Sequence, residues 1–561
     1  MKQLSKPSLI AVAITALGLS ACGGGDSAAT APAAVTTSFS GTAATGAAMA
    51  NANVAISCAS GTGSTTTTAN GSYSANLSNI TLPCVLRATS TDGATVLYSV
   101  TTATPGAAQV ANITPLTHLV VASLSGADPA AFFSGFNATT ASAVTASSVS
   151  AAQTAVLTTL ANAGVDTTGL TDLIGGALVG GSGSGYDGVL DAVQTLLTSS
   201  GTSLTELANS VAATSPSATV DHTARLPASL LLKTAASNCA ALRSGEYVDI
   251  QPRKGTNLAG QIDTSTLNAS NLTWTDGDGS TGTFEANGDC RYKMGTDEYI
   301  VSKAGILMGV YVDDDSTPRL SFVIPKQTIA VSELAGAWNA LGFQKNDAGT
   351  AYVAETVTAD ISTSGAFTNV NQCVGARLND TCTTSTTTIN LIANSTGGFD
   401  WVGSGTSAWT ERAFAYRAGS GDLMLVTLGG GGSIHIWTKQ RTLGFPLVGE
   451  IYTGGASVRM NNQLVPGTLD VFPNGASVVA VDTAAGTITR TQTTLAGGPD
   501  YNDTVTQNSP LAGYNFRAAG TTTATDGRTV NIRERTSLSM RGMGISFQSV
   551  PHVSSFQMSV D

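Results

Sequence analysis

Residues 242–247 read LRSGEY, and this opening of a leucine, a glycine and an aromatic residue returns as LAGAW at 334–338 and LVGEIY at 447–452. After each opening, short stretches of alternating apolar and polar residues are separated by Asp, Gly and Asn, which is typical of antiparallel strands joined by tight turns. The candidate strands of the first unit are 245–250, 271–275, 281–286, 290–294, 298–302, 307–313 and 319–324. We therefore predict a series of β meanders in the second half of the chain.

Two further anchors recur in the same order. Gly282-Thr-Phe284 lies six positions before Cys290, and Gly365-Ala-Phe367 lies six positions before Cys373. Lys-Gln pairs also begin eight positions before the second and third openings, at 326–327 and 439–440. These matches indicate an internal repeat.

A repeat of roughly 100 residues is too long for a propeller blade of about 40–50 and suits a small up-and-down barrel of six to eight strands. We predict three β units, at 237–333, 334–446 and 447–561, that are lipocalin-like in architecture but carry no lipocalin motif. The alternatives are one large barrel, or a propeller with two blades in each unit.

The periodicity changes upstream of these units. Between residues 112 and 213 apolar residues recur every three to four positions, which predicts a small helical bundle. Thr114-Pro115 is typical of a helix start, with an N-cap followed by proline. The segment from Leu170 to Leu178 fits an amphipathic helix, and residues 214–236 are predicted to be a linker.

Residues 39–111 show the alternation of strands again, for example at Val54, Ile56 and Cys58. Asn70-Gly71 predicts a turn that leads into a strand at Tyr73. With glycines upstream, this segment resembles the carboxypeptidase-regulatory-like, or transthyretin-like, domain. The resemblance implies a β-sandwich that serves as a stalk or accessory module and carries no catalytic residues. The whole chain is thus predicted to be multidomain and mainly β: a sandwich, a small helical bundle, then tandem antiparallel β-meander or barrel units.

The N-terminus indicates where the protein resides. Residues 1–21 have a basic start and a short apolar stretch, as in a signal peptide, and they end at Leu19-Ser-Ala-Cys22, which resembles the bacterial lipobox. The resemblance implies that Cys22 is acylated and that 22–38 tether the folded part to a membrane. Gly23 follows the cysteine, where enterobacterial lipoproteins kept at the inner membrane have Asp, so the outer membrane is favoured.

The cysteine count agrees with export. Lipidation of Cys22 leaves six cysteines, and six cysteines in an exported chain suggest three disulfides. Fifteen pairings are possible, and free buried thiols are the alternative. The spacing favours three local pairs: Cys58 with Cys84, Cys239 with Cys290, and Cys373 with Cys382.

The composition excludes several classes of function. Of 561 residues only 11% are charged, and the net charge is −11, which argues against nucleic acid as a partner. No nucleophile elbow, zinc-protease motif or P-loop is present, and no cofactor is implied. Only four histidines occur, at 118, 222, 435 and 552, so an imidazole-based triad is not expected.

Some residues could still take part in catalysis or in binding a ligand. A glycosidase needs two facing carboxylates, and candidates such as Glu298 or Glu355 also fit a solvated surface. Two acidic clusters in predicted turns could offer oxygen ligands to Ca²⁺, although Asp-Gly is ordinary turn chemistry. Five tryptophans could stack on sugar rings or pack in a barrel. The Ca²⁺ candidates are Asp276, Asp278, Asp313 and Asp315, and the tryptophans are Trp274, Trp338, Trp401, Trp409 and Trp437.

We therefore predict a lipoprotein anchored to the outer membrane, with a non-enzymatic surface-binding or envelope structural role. Its partners are the membrane, through the lipid, and a glycan or protein ligand. Two alternatives remain: a surface hydrolase of polysaccharide or polyester with the sandwich as an accessory, and a barrel that holds a small apolar ligand. A Ser-His contact at His435 or His552, or a groove with paired carboxylates, would favour the hydrolase.

Overall fold

The computed structural model describes residues 36–102, 108–218, 226–253, 258–312, 316–345, 350–374, 382–404, 408–461, 465–493, 499–541, 543–549 and 553–559. The predicted signal peptide, Cys22 and most of the tether lie outside the described residues, as do Asp313, Asp315, His222 and His552. The described chain is mainly β with few helices, as predicted. None of its described helices is long and apolar enough to cross a membrane.

Seven strands form two small sheets at the N-terminal end. They are β1 (Thr36–Thr42), β2 (Asn53–Ser60), β3 (Thr62–Thr66), β4 (Ser72–Ser78), β5 (Thr81–Thr89), β6 (Val96–Val100) and β7 (Gln109–Val110). One sheet has the order β4-β1-β7 and the other β3-β2-β5-β6. Inward residues alternate along the strands, as at Val54 and Ile56. Phe39 of the first sheet and Leu86 of the second belong to one core, which is the arrangement of a β-sandwich.

Seven helices follow the sandwich. They are α1 (Pro115–Ser125), α2 (Pro129–Ser134), α3 (Ala138–Ala141), α4 (Ala146–Ala163), α5 (Gly185–Ser200), α6 (Leu204–Ala213) and α7 (Ala228–Leu231). The predicted start at Thr114-Pro115 is present, because the Thr114 side chain accepts a hydrogen bond from the Thr117 amide at 3.2 Å. The helix ends at Gly126, whose φ of 59° suits glycine.

The predicted helix from Leu170 to Leu178 is wrong. These residues form turns, because the carboxylate of Asp172 accepts hydrogen bonds from the amides of Ile174 and Gly175 at 2.9 and 3.0 Å. A side chain that binds nearby amides in this way competes with the helix for them. Leu173 and Ile174 are nonetheless buried, so the apolar spacing reflects packing rather than a helix.

The predicted boundaries between sandwich, bundle and linker do not separate cores. Residues of both the sandwich and the helices belong to a single hydrophobic cluster. Leu231 and Leu232, from the segment predicted to be a linker, are buried in the same cluster, where α7 contacts α4 and α6. Residues 36–102, residues 108–213 and α7 therefore share one hydrophobic core.

Arg243 joins this body to the β units. It is 4% exposed, and its guanidinium donates hydrogen bonds to the carbonyls of Ser200, Leu231 and Lys233 at 3.0–3.2 Å. The first two carbonyls are at the ends of α5 and α7, where the last carbonyls of a helix lack partners within the helix. One side chain thus binds the ends of two helices at the entry to the first β unit.

The first β unit closes into a ring. Its strands are β8 (Ala235–Ala236), β9 (Cys239–Arg243), β10 (Gly245–Ile250), β11 (Ile262–Asn268), β12 (Thr273–Thr275), β13 (Thr281–Thr283), β14 (Glu285–Ala286), β15 (Arg291–Met294), β16 (Asp297–Val301), β17 (Leu307–Val312) and β18 (Pro318–Pro325). The sheet order is β13-β12-β11-β10-β18-β17-β16-β15-β14. Only Phe284 separates β13 from β14, so the ring closes through that segment. We call it the first barrel; among the strands of this ring, β11 is the one that the sequence analysis missed, and the separate β8–β9 pair was not predicted either.

The second β unit also closes. Its strands are β19 (Gly336–Lys345), β20 (Tyr352–Ile361), β21 (Ala366–Val374), β22 (Cys382–Thr384), β23 (Thr388–Ala393), β24 (Phe399–Ser404), β25 (Trp409–Arg417), β26 (Leu423–Leu428) and β27 (Ile434–Lys439). The sheet order is β20-β19-β27-β26-β25-β24-β23-β21-β22, and an additional pairing of β20 with β21 completes the ring. We call it the second barrel.

The third unit is a closed barrel of β28-β29-β30-β31-β32-β35-β36-β37. Its strands, with the separate hairpin β33–β34, are β28 (Ile451–Met460), β29 (Pro466–Asp482), β30 (Thr487–Gln492), β31 (Tyr501–Gln507), β32 (Tyr514–Arg517), β33 (Gly520–Thr523), β34 (Thr529–Ile532), β35 (Arg535–Met540), β36 (Met543–Ser549) and β37 (Val553–Ser559). The described chain thus has three rings, not the alternative of one large barrel or a propeller.

The three barrels pack through their outer walls. One apolar cluster contains Ile250 of the first barrel, Phe343 of the second and Tyr514 of the third. The Tyr514 hydroxyl donates to the carbonyls of Ala340 and Val357 at 3.0 and 3.2 Å. Asp422 of the second barrel also pairs with Arg541 of the third at 3.0 Å. The barrels therefore share a core between them, while each interior is separate.

The first two openings have the same local role. Tyr247 and Trp338 are buried at the start of β10 and β19, and each donates a hydrogen bond to the carbonyl four residues earlier, at 2.6 and 2.7 Å. The third opening differs, because Leu447 is 78% exposed. The Gly-x-Phe anchors are not equivalent either: Phe284 directly follows β13, the fourth strand of its ring, whereas Phe367 lies in the third strand of its ring.

Candidate functional site

The interior of the second barrel is filled at one end. Along β19 the residues Trp338, Ala340 and Gly342 face inward, while Leu341 and Phe343 belong to the outer-wall cluster. The filled end consists of apolar side chains, among them Leu334, Trp338 and Leu425, each at most 1% exposed. The side chains that alternation turns inward are apolar at this end of the barrel and pack it. Different side chains line the other end.

A cavity of about 230 Å³ occupies the other end. Its walls are aromatic and its rim is polar. The aromatic residues are Phe367, Trp401, Trp409 and Trp437, and the polar residues are Gln344, Gln372, Ser385, Thr387, Glu411, Ser433 and His435. Several of the rim residues are half-buried, so the cavity lies at the mouth of the barrel. An apolar lining with a few placed polar groups is typical of ligand sites.

The three indole rings of the cavity wall pack against one another. Trp401 and Trp409 meet edge to face, with ring centroids 5.0 Å apart, and Trp401 meets Trp437 at 6.4 Å in the same way. The Trp437 N–H donates to Thr427 at 3.1 Å. The Trp401 N–H, in contrast, is buried and has no hydrogen-bond partner among the described residues.

A buried acid–base pair lies next to the cavity. Nε2 of His435 is hydrogen-bonded to Oε1 of Glu355, which is 1% exposed, while Oε2 of Glu355 has no partner in the described part of the chain. Glu411 lines the cavity, and burial raises its pKa while His435 opposes the shift. His435 forms no hydrogen bond with a serine in the described part of the chain, so a Ser-His nucleophile is not assembled there.

The first barrel contains a cavity of about 260 Å³ with a different lining. Four carboxylates face it together with Trp274 and other aromatic residues, and no lysine or arginine does so among the described lining residues. They are Asp249, Asp263, Asp276 and Asp297. Burial raises the pKa of Asp249 to about 6, although hydrogen bonds from Gln251 and Ser321 oppose the shift.

The carboxylates of the two described Ca²⁺ candidates are already engaged in hydrogen bonds. Asp276 lines the first-barrel cavity and accepts hydrogen bonds from Trp274 and Ser265 at 2.7 and 2.8 Å. Asp278 accepts from the Ser280 amide at 2.8 Å, as in an ordinary turn. Within the described ranges, no three His, Cys, Asp or Glu side chains are placed to hold a metal ion.

The third barrel has a charged interior. Asp503 is buried and accepts hydrogen bonds from Arg490 and Arg517, each at 2.8 Å. Burial alone would raise the pKa of Asp503, but the two guanidinium groups lower it to about 2. Arg535 lies near them, and burial lowers its pKa to about 9. A paired network of this kind fixes side chains rather than offering a vacant site.

The remaining predicted residues have structural positions. His118 of α1 is buried against Tyr98, and burial lowers its pKa to about 4. The six cysteines form the disulfides Cys58–Cys84, Cys239–Cys290 and Cys373–Cys382. Glu298 pairs with Lys293 at the surface at 3.1 Å. Glu411 was missed, because the sequence gives no sign that its strand faces His435.

Known proteins provide no family and only distant structural matches for this chain. No family model and no curated sequence matches the chain. Among solved structures, it is similar to transferrin binding protein B of Neisseria meningitidis serogroup B, with 9% identity over 53% of this chain and 62% of that one, at a TM-score of 0.14. A double mutant of transferrin binding protein B from Haemophilus parasuis matches with 10% identity over 56% and 74%, at the same TM-score. TM-scores of this size do not establish a shared fold.

Proposed function

We propose that this chain is a non-enzymatic binding protein of the bacterial cell envelope, anchored to the outer membrane by lipid on Cys22, that takes a small ligand into the second barrel. The lipobox-like sequence at Leu19–Cys22 supports the anchor. Six cysteines joined in three disulfides agree with an exported chain.

One observation carries the binding role: the second barrel is packed at one end and holds a cavity with aromatic walls and a polar rim at the other. A barrel that served only as a structural element would gain stability from a filled interior, because unfilled space costs packing energy. The cavity also contains a buried indole N–H without an acceptor, which a ligand can supply.

A surface hydrolase is the second candidate. Glu355 and Glu411 both lie near His435, and a pair of carboxylates is what glycoside hydrolysis requires. Binding is favoured because one oxygen of Glu355 is already bonded to His435 inside the barrel. Release of reducing sugar from an envelope polysaccharide, lost in Glu411→Gln, would instead support the hydrolase.

The anchor is tested by fractionation of cells that express the full chain. Cys22→Ala should move the protein from the detergent-soluble membrane fraction to the soluble fraction. The matched control replaces Cys239 and Cys290 by Ala, which removes two cysteines and leaves the lipidation site. Detergent-dependent fractionation of Cys22→Ala equal to that of the parent chain would overturn the anchor.

The binding role is tested by quenching of tryptophan fluorescence in the detergent-solubilised protein, because three indoles line the cavity. Three probe chemistries are used: methyl pyranosides, tetramethylammonium and octanoate. Thr387→Trp, on the rim, should abolish the response, and Thr383→Trp, exposed on β22, should keep it. Response to any one probe supports a binding cavity, and response to none overturns it.

A further inference from the structure

The second-barrel cavity has room for one small ring. At about 30 Å³ per water in the liquid, its 230 Å³ corresponds to roughly eight waters. Pockets that bury drug-sized ligands have volumes of about 300–1,000 Å³. A single ring therefore fits, and any continuation of the molecule must leave through the rim.

The unpartnered N–H of Trp401 limits the chemistry of a ligand in this cavity. Trp401 lines the cavity and is 9% exposed, and its Nε1 donates to no group among the described residues, unlike Nε1 of Trp437. A buried donor left without an acceptor is destabilising, because it has lost its hydrogen bonds to water. The favoured ligand therefore brings an acceptor, which a tetraalkylammonium ion or a hydrocarbon ring does not have.

The acidic side chains beside the cavity further limit the chemistry of the ligand. Glu411 lines it, and Oε2 of Glu355 is a buried acceptor without a donor. A ligand anion would be repelled by these carboxyl groups. The cavity therefore favours a neutral ligand whose groups both donate and accept hydrogen bonds, as a hydroxyl group does.

The rim provides matching groups. Gln344 and Gln372 carry amides, and Ser385, Thr387 and Ser433 carry hydroxyls. Each of these side chains can both donate and accept, while the indole faces offer apolar surface to the C–H side of a ring. Together they match a ring with hydroxyls around its edge and C–H groups on its faces.

From the lining, the size and the unpartnered Trp401 N–H, we infer that the ligand of the second-barrel cavity is a neutral pyranose, one sugar residue at the end of a glycan. This inference rests on the proposed binding function and names its ligand class. The sugar lies against the indoles, accepts a hydrogen bond from Trp401 and donates to the carboxyl group of Glu411. The rest of the glycan extends through the mouth of the barrel.

The test measures quenching of tryptophan fluorescence by the methyl pyranosides of glucose, galactose and N-acetylglucosamine. At least one should bind to the parent protein. Trp401→Phe keeps an aromatic ring but removes the N–H, and it should weaken that binding about tenfold. The matched control is Trp274→Phe in the first barrel, which removes an N–H bonded to Asp276 and should leave pyranoside binding unchanged.

Ser433→Ala, on the half-buried rim, is a second variant that is not expected to affect folding, and it should also weaken binding. The near-ultraviolet circular dichroism of each variant checks its packing. Binding of tetramethylammonium or octanoate with no pyranoside response would overturn the sugar inference and leave the binding function standing. Pyranoside binding that Trp401→Phe and Ser433→Ala both leave unchanged would also overturn it.

Discussion

The side chains of Glu355 and His435 are hydrogen-bonded to each other inside the second barrel, from the two strands that flank Gly342. A Cβ at Gly342 would lie 2.2 Å from Cδ2 of His435. Glycine at this inward position therefore provides the space in which the imidazole lies, and the acid–base pair depends on its missing side chain.

Gly342→Ala should displace His435 and separate it from Glu355. Because the new methyl group overpacks a closed interior, the free energy of unfolding should fall by about 1–3 kcal/mol. Chemical denaturation measures this change. Gly430→Ala is the matched control, because a Cβ there meets nothing within 4 Å. Equal stability of the two variants would contradict the space requirement.

Asp249 should make the stability fall as the pH rises. Its folded pKa of about 6 lies above the usual value of 3.8, so the folded state holds the proton more tightly, and stability is lost between about pH 4 and pH 6. Asp249→Asn should therefore raise the free energy of unfolding at pH 8 by up to about 3 kcal/mol, and by much less at pH 4.

Denaturation of Asp249→Asn at both pH values measures the difference. Asp278→Asn, a change at an exposed turn in the same barrel, should alter the stability little at either pH. A gain for Asp249→Asn of the same size at pH 4 and pH 8 would show that the buried charge is not its cause.

Asp503 should have the opposite pH dependence. Its pKa of about 2 is below the usual 3.8, so its contribution is present above about pH 4 and is lost as the pH falls toward 2. At pH 7, Asp503→Asn leaves Arg490 and Arg517 without their carboxylate, and should cost about 3–5 kcal/mol.

Urea denaturation between pH 7 and pH 3 measures this effect, and the gap between Asp503→Asn and the parent should narrow at the acidic end. The control is Asp526→Asn, which breaks an exposed pair with Arg528 and should change the stability little. A gap that stays constant with pH would rule out the proposed ion pairing.

The three disulfides should protect all six cysteines outside the lipobox from alkylation until a reductant is added. Peptide mapping without reduction should join Cys58 to Cys84, Cys239 to Cys290 and Cys373 to Cys382. Removal of the Cys239–Cys290 bridge by a double Ala substitution should cost about 2–4 kcal/mol. Alkylation of six thiols without reductant would contradict the pairing.

The β units could be predicted from the sequence where the same residue types recur at the same spacing. Tyr247 and Trp338 mark strand starts because each needs an inward position and an acceptor four residues earlier. The Gly-x-Phe-Cys anchors misled, because the same spacing occurs in strands of different rank in the two rings. Strand β11 was missed, since Leu267 is its only buried apolar residue and the other buried position is the polar Ser265.

The helical region shows the limit of periodicity. Leu173 and Ile174 have helical spacing, yet the carboxylate of Asp172 holds the following amides in a turn. The candidate site shows another limit. Trp401, Trp409 and Trp437 were visible as sugar-stacking candidates, but only ring closure brings Glu355, His435 and Glu411 together from strands that are distant in sequence.

Arg243 has a mechanical consequence for the proposed N-terminal anchor. Its guanidinium binds the ends of α5 and α7 where the first barrel begins, so there is no free swivel at that junction. A pull on a ligand in the proposed second-barrel site would be transmitted through these hydrogen bonds and the apolar contacts around them. Any rotation of the protein on its tether should then turn all three barrels together with the sandwich.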